Sequence, residues 1–427
     1  MRNMLRIFGI LVCVSFVSCT TTNQATTPEP KTVEAPKPQA VPQKHPLDKS
    51  ELRRFVMDNG IQVLLISDSK FNKSAASLTV TMGALSDPDE RLGMAHYLEH
   101  MLFMGTQKYP AVDDYPLYIS ENGGWRNAYT TSDHTNYHFD IKHDAYEGAL
   151  DRLSQFFIAP LFDKTYTERE TKAVNSEFQR FKEHDGWRTS QVQKLFLNQD
   201  HPYSRFIIGS TETLTGVTPE ELTAFYDNNY SADRMRLVLL GKAPLDTLQT
   251  LATKYFSPIQ NKNLGRLTYN PDYQSEKETF RLIHIEPIKD SRTLEIEFPL
   301  PSFYENYESK PNALLASLIG HEGKGSLLSL LKQKGLATGI IASAYLSTLD
   351  YGRVGISVTV TPKGMENYQE IVRLTFAYIE MLNKEPYPSY YYQELAAKAK
   401  LDEIYTDRGE GYGYASALGR TLAKYPL

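Results

Sequence analysis

The chain has 427 residues, of which 41% are hydrophobic and 23% charged, enough for about two domains with sizeable cores. A formal net charge of −5 gives no basic footprint and sets nucleic acid aside as a partner. The acidity suits handling of cationic peptides, although solubility alone accounts for it as well.

At the N-terminus, Arg2 and Arg6 flank the start of an apolar run from Ile7 to Val17. The run is too short to span a bilayer and reads as the core of a signal peptide. It leads into Phe16-Val17-Ser18-Cys19, which resembles a bacterial lipoprotein processing site, with Phe16 unusual at its position. An ordinary secretory signal cut nearby is the alternative. Both cysteines, Cys13 and Cys19, lie in this leader, so cleavage before Cys19 leaves one lipid-bearing cysteine and no intramolecular disulfide. Thr20 stands where an aspartate would signal inner-membrane retention. The expected location is therefore the outer membrane, facing the periplasm through a lipid anchor at Cys19, with a periplasmic or secreted product as the alternative.

Residues 20–48 are rich in Thr, Pro, Ala and Gln and cannot bury enough apolar surface to fold, so they read as a disordered tether. Globular structure is expected from 49. Phe55-Val56-Met57 and Ile61 to Ile66 flank Asp58-Asn59-Gly60, a hairpin signature. Further strands are expected at Ser77–Met82, Tyr137–Ile141 and Leu237–Leu240, and helices at Gly93–Met104, Ala145–Ile158 and Thr167–Lys182. This alternation predicts an α+β domain over 49–262, followed by a polar linker, 263–278. Over 279–427 the same coarse order recurs, with strands at Leu282–Ile285, Leu294–Phe298 and Gly355–Val360 and helices at Asn312–Ile319 and Ser326–Lys332. The expected fold is two related domains, each a mostly antiparallel sheet with helices packed on one face, the second incomplete.

His96-Tyr97-Leu98-Glu99-His100 carries the chemistry. On a helix, residues four apart share a face, so two imidazoles can hold one ion with the Glu99 carboxylate beside them. Alone, the motif is also compatible with a surface helix bearing two histidines. Glu170 and Glu177, seven apart on a later helix, also share a face; a Glu-rich helix by itself reads as a solvated one. Catalytic zinc needs three protein ligands and an open position, and two histidines with a carboxylate are one such set. Glu177 completes the ligands and Glu170 steadies the site.

His96 to Pro110 (HYLEHMLFMGTQKYP), with Glu170 to Glu177, closely resembles the insulysin/pitrilysin family of inverted-motif zinc peptidases. Asn127 to Thr130, Asp133 to Tyr137, Leu150 to Phe157 and Asp185 to Arg188 match in order and spacing. The resemblance implies one zinc per chain on His96, His100 and Glu177, with Glu99 as general base and Glu170 as a supporting acid. It implies related α+β domains forming two bowl-like halves around an unfolded peptide. That peptide adds to a sheet edge at Asn127, Ala128 and Tyr129, with the Asn127 side chain bonding its backbone. The family members it most resembles are about twice as long, and nothing in this chain matches the Arg and Tyr that their second half contributes. A fragment, a natural truncation and a half that pairs with a second chain are all open; the competing function is a non-catalytic peptide-binding protein.

Other features point elsewhere. Gly320 to Ser326 lacks the Lys-Ser pair of a P-loop and a second histidine four residues after His321, and reads as a tight turn. The resemblance places it beside a remote site for a substrate N-terminus. His134, His138 and His143 read as structural or exposed rather than as further ligands, and the 28 tyrosines as packing and polar-surface residues.

Overall fold

The computed structural model describes residues 48–274, 281–406 and 409–425. The leader, with Cys13 and Cys19, and nearly all of the tether lie outside them. Among the described residues, no helix is long and apolar enough to cross a membrane.

The first sheet contains β1 (Glu51–Val56), β2 (Gln62–Ser67), β3 (Ser74–Val80), β4 (Trp125–Thr130), β5 (Thr135–Ile141) and β6 (Met235–Gly241), in the order β1-β2-β6-β3-β5-β4. Its pairs are antiparallel except β2–β6, which is parallel. The Asp58-Asn59-Gly60 turn closes β1 onto β2: Gly60 has φ 92°, and the Met57 N–H donates to the Ile61 carbonyl at 2.9 Å. Around this sheet run α1 (Met94–Leu102), α2 (Asp114–Glu121), α3 (Tyr146–Ile158), α4 (Lys164–Lys182), α5 (Asp185–Lys194), α6 (Thr211–Leu214), α7 (Pro219–Asn229) and α8 (Leu245–Phe256).

The second sheet contains β7 (Thr293–Pro301), β8 (Ala337–Leu346) and β9 (Tyr351–Val360) in the order β7-β9-β8, all antiparallel. This repeats the β3-β5-β4 half of the first sheet. Its helices are α9 (Pro311–Ile319), α10 (Leu327–Gln333), α11 (Pro362–Glu366), α12 (Tyr368–Lys384) and α13 (Ser389–Tyr405), and the last helix is α14 (Gly411–Lys424). The strand expected at Leu282–Ile285 does not form: the segment pairs with no described strand, and although Ile283 and Ile285 are half-buried, Leu282 is exposed. Alternation alone makes no strand where there is no ladder partner.

Strands β2 and β6 are apolar at nearly every position because both of their faces are covered. Val63, Leu65, Leu237 and Leu239 join the main core with α1, α3 and α8. Leu64, Ile66, Val238 and Leu240 point the other way, into a smaller core completed by Ala415 and Leu422 of α14. The last helix of the expected second domain therefore packs on the sheet of the first. The approach is close: a Cβ on Gly419 would lie 2.6 Å from Thr79 Oγ1.

Candidate metal centre

Helix α1 begins where two glycine backbones touch. Gly93 has φ 89°, and a Cβ there would lie 2.3 Å from the Gly209 Cα, so both space and backbone conformation demand glycine. The first amides of the helix are taken by a distant carboxylate. Asp87 accepts from the N–H of Gly93 and of Ala95, each at 2.7 Å, satisfying donors that have no partner within the helix. Burial pushes the Asp87 carboxyl up to about 7, although those two bonds and the charges of Arg205 and Lys194 act to lower it.

The Gly93–Gly209 contact brings the Ile208 carbonyl to His96, whose Nδ1 lies 2.7 Å from it. A carbonyl only accepts, so the proton sits on Nδ1 and the Nε2 lone pair is free. His100 places Nδ1 3.2 Å from Glu170 Oε2, which likewise turns its Nε2 outward. The two rings stand edge-on, centroids 4.8 Å apart. Glu177 Oε2 lies 3.5 Å from His96 Nε2 and 3.8 Å from His100 Nε2.

Helix α4 delivers both glutamates. Asp163 caps it, accepting from the Thr165 N–H at 2.8 Å. Thr167, Glu170, Thr171 and Val174 form its buried stripe, and the Tyr97 hydroxyl donates to the Thr167 carbonyl at 2.8 Å, locking α4 against α1. Glu177, one turn past Val174, emerges where that stripe meets the two imidazoles.

Ligand atoms of His96, His100 and Glu177 all lie within 4.8 Å of one another, and this is the only such group among the described residues. Two Nε2 lone pairs and one carboxylate oxygen, each imidazole already oriented through Nδ1, fit a zinc ion. Burial raises the Glu99 carboxyl above the ordinary range, against the charges of His96 and His100 and a bond from the Thr130 hydroxyl; that bond is 2.6 Å long. For His100, burial works to lower the pKa, but the bond to Glu170 and the charges of Glu99 and Glu177 leave it raised. Burial would raise Glu170, yet its bonds to His100 and Arg169 hold it low, keeping it an anionic acceptor for the His100 N–H rather than a proton source.

The site opens into a cavity of about 710 Å³ walled by both histidines, the three glutamates and β4. β4 is an edge strand, paired only with β5. The Thr131 N–H is bonded to the His134 carbonyl, so by alternation Asn127 and Tyr129 turn their peptide groups toward β5, while Arg126, Ala128 and Thr130 turn theirs to the free edge. Side chains alternate as well. Thr130 faces Glu99, with Arg126 and Ala128 on its side of the sheet, whereas Asn127 and Tyr129 lie on the opposite face, where Tyr129 meets His134 and His138. Asn127, Ala128 and Tyr129 all line the cavity; the pleat sets the Asn127 Cβ on the face opposite Thr130, and the outward edge groups are those of Arg126, Ala128 and Thr130.

Sequence reasoning found the five residues of the two helices and missed what surrounds them. Asp87, the Ile208 carbonyl and Arg169 carry no motif. Thr130 stands inside a stretch singled out from the sequence, but nothing there signalled its bond to Glu99. His134 and His138 are buried and hydrogen-bonded through Nδ1, while His134 Nε2 is buried without a partner among the described residues.

Residues 62–204 match the family described as Insulinase (Peptidase family M16), and residues 216–398 match the Peptidase M16 inactive domain. Over 388 residues the chain is 42% identical to insulin-degrading enzyme-like 1, peroxisomal, of Arabidopsis thaliana, covering 89% of this chain and 40% of that protein. It is 39% identical to the insulin-degrading enzyme of Homo sapiens over 392 residues, 90% of this chain and 38% of the relative. The crystal structure of pitrilysin superposes with a TM-score of 0.88 at 33% identity, covering 91% of this chain and 42% of pitrilysin. The chain thus spans about 40% of the length of the curated relatives it matches.

Proposed function

This chain belongs to the insulysin/pitrilysin family of peptidases, and from that premise we propose that it carries the active site of a zinc-dependent endopeptidase acting on short unfolded peptides. The observation behind this is the convergence of His96, His100 and Glu177 ligand atoms within 4.8 Å beside the buried carboxylate of Glu99. Zinc bound there would supply Lewis acidity and bring the pKa of a water to about 7. Glu99 accepts the proton of the attacking water and hands it to the departing amine. Thr130 fixes the rotamer of that carboxylate through its hydroxyl. Glu170 acts through His100, a positioning role of the kind expected of a residue that steadies the site. The peptide lies along β4 as an added strand, paired to the outward groups of Ala128.

Hydrolysis of a quenched fluorescent peptide tests this reading. Wild-type activity should vanish with a chelator and in Glu99→Gln, which keeps its zinc. Chelator-resistant cleavage, or full activity in Glu99→Gln, would sink it. A second reading is that this site turns over only beside a further half, or binds peptides without cutting them. It is favoured by the match of residues 216–398 to an inactive domain and by the length of the relatives. Zinc-loaded protein that binds peptide without cleaving it would select this reading.

We also propose a lipid anchor at Cys19 and an outer-membrane location facing the periplasm, supported by the leader from Arg2 to Cys19. Incorporation of labelled palmitate that is lost in Cys19→Ala is the expected outcome.

A further inference from the structure

Two arginines line the metal cavity. Arg169 is bonded to Glu170 at 3.0 Å, whereas Arg126 makes no hydrogen bond, ion pair or cation–π contact with any described residue. Its guanidinium is partly withdrawn from water, which pulls its pKa below the ordinary arginine value against the influence of Tyr115, so it bears a desolvation cost that no carboxylate bonded to it offsets. The one uncommitted carboxylate on the same wall, Asp113, is exposed and unpaired with it.

Position gives this cation its meaning. Arg126, Ala128 and Thr130 share the face of β4 that looks onto the metal centre, with Thr130 at the Glu99 end. At about 3.3 Å per residue, Arg126 sits about 13 Å from Thr130 along the strand. A peptide added to the β4 edge keeps its own side chains in alternation, so the residue opposite Arg126 faces the same way. Directly opposed residues bring their Cβ atoms to about 5 Å, within reach of a carboxylate-to-guanidinium fork.

We infer that Arg126 determines specificity, selecting peptides that carry Asp or Glu two residues from the one paired with Ala128. The inference rests on the peptidase reading and refines it. It also reverses the expectation drawn from the net charge: the cavity wall, not the overall balance, meets the substrate, and its unpaired group is cationic.

The test uses the full chain, zinc-loaded, as Glu99→Gln so that bound peptides stay intact. Peptides identical except for Glu, Gln or Lys at successive positions are titrated by fluorescence anisotropy. At one position Glu should bind about tenfold more tightly than Gln, the scale of a hydrogen bond to a charged group. Arg126→Ala should erase that difference, and Arg126→Glu should transfer the preference to Lys. Equal binding of all three residues at every position, or an acidic preference that survives Arg126→Ala, would overturn the inference. Failure of the peptidase reading looks different: the zinc-loaded wild-type chain, run beside Glu99→Gln, would leave every one of these peptides uncut, whatever its charge.

Discussion

The Nε2 of His100 can serve a metal only while its Nδ1 proton is held, and Glu170 holds it. Glu170→Gln keeps an acceptor oxygen but loses the charge and the Arg169 bridge. Zinc affinity should fall about tenfold, the usual loss for a disturbed partner of a ligating histidine, with the fold intact; competition against a chromophoric chelator measures it. His96→Ala, His100→Ala and Glu177→Ala should each abolish stoichiometric zinc by the same assay. These residues were legible in the sequence because helical spacing is itself geometry: four residues apart on α1 and seven apart on α4 fix which side chains share a face. Asp87, Thr130 and the Ile208 carbonyl were not, because each reaches the site from a separate segment through a contact that only the folded chain makes. The face that Asn127 takes was not legible either, because the pleat register, set by the bond from Thr131 to His134, decides it.

Helix α14 is tied to the first sheet through a polar network as well as an apolar one. Ser416 donates to Asn136 Oδ1 at 3.1 Å, Asn136 donates to Ser77 and Thr79, and His138 stacks on Tyr412. Burial pulls His138 down to about 4, against the charge of Asp140. Because the folded value lies below the ordinary 6.5, the unfolded chain takes up the proton first. Stability from this residue is therefore complete above about pH 6.5 and is lost as the pH falls toward 4, on the order of 3 kcal/mol in all. Urea midpoints should drop between pH 7 and pH 5, and His138→Gln should flatten that slope; an unchanged slope would remove His138 as its source. The elements themselves were unevenly legible. Long apolar runs announced β2 and β6, and amphipathic periodicity announced α1, α3 and α4. Edge strand β4 has one open side and a polar sequence, so it gave no alternation to read, while Leu282–Ile285 gave alternation without a sheet to join.

At the scale of the whole molecule, the repeat read from the sequence is present in the β3-β5-β4 and β7-β9-β8 orders, but the packing does not respect it. The domain holding the metal residues borrows its rear cover from α14. Truncation after Glu410 should uncover Leu64, Ile66, Val238 and Leu240. Each such side chain contributes about 1.5–3 kcal/mol when fully buried, so the truncated protein should bind a hydrophobic dye and melt well below the parent; an unchanged melting temperature would show that α14 contributes nothing. The same feature has a consequence for biosynthesis. Asn72, beside β3, bonds to Glu410 across 338 positions of chain, so the ribosome finishes the segment bearing His96 and Glu177 long before it emits the helix that backs their sheet. A chain that folded before α14 arrived would present a bare apolar sheet surface, a species prone to aggregate, so the metal-binding half lacks its cover until residue 424 has reached the compartment where the chain folds.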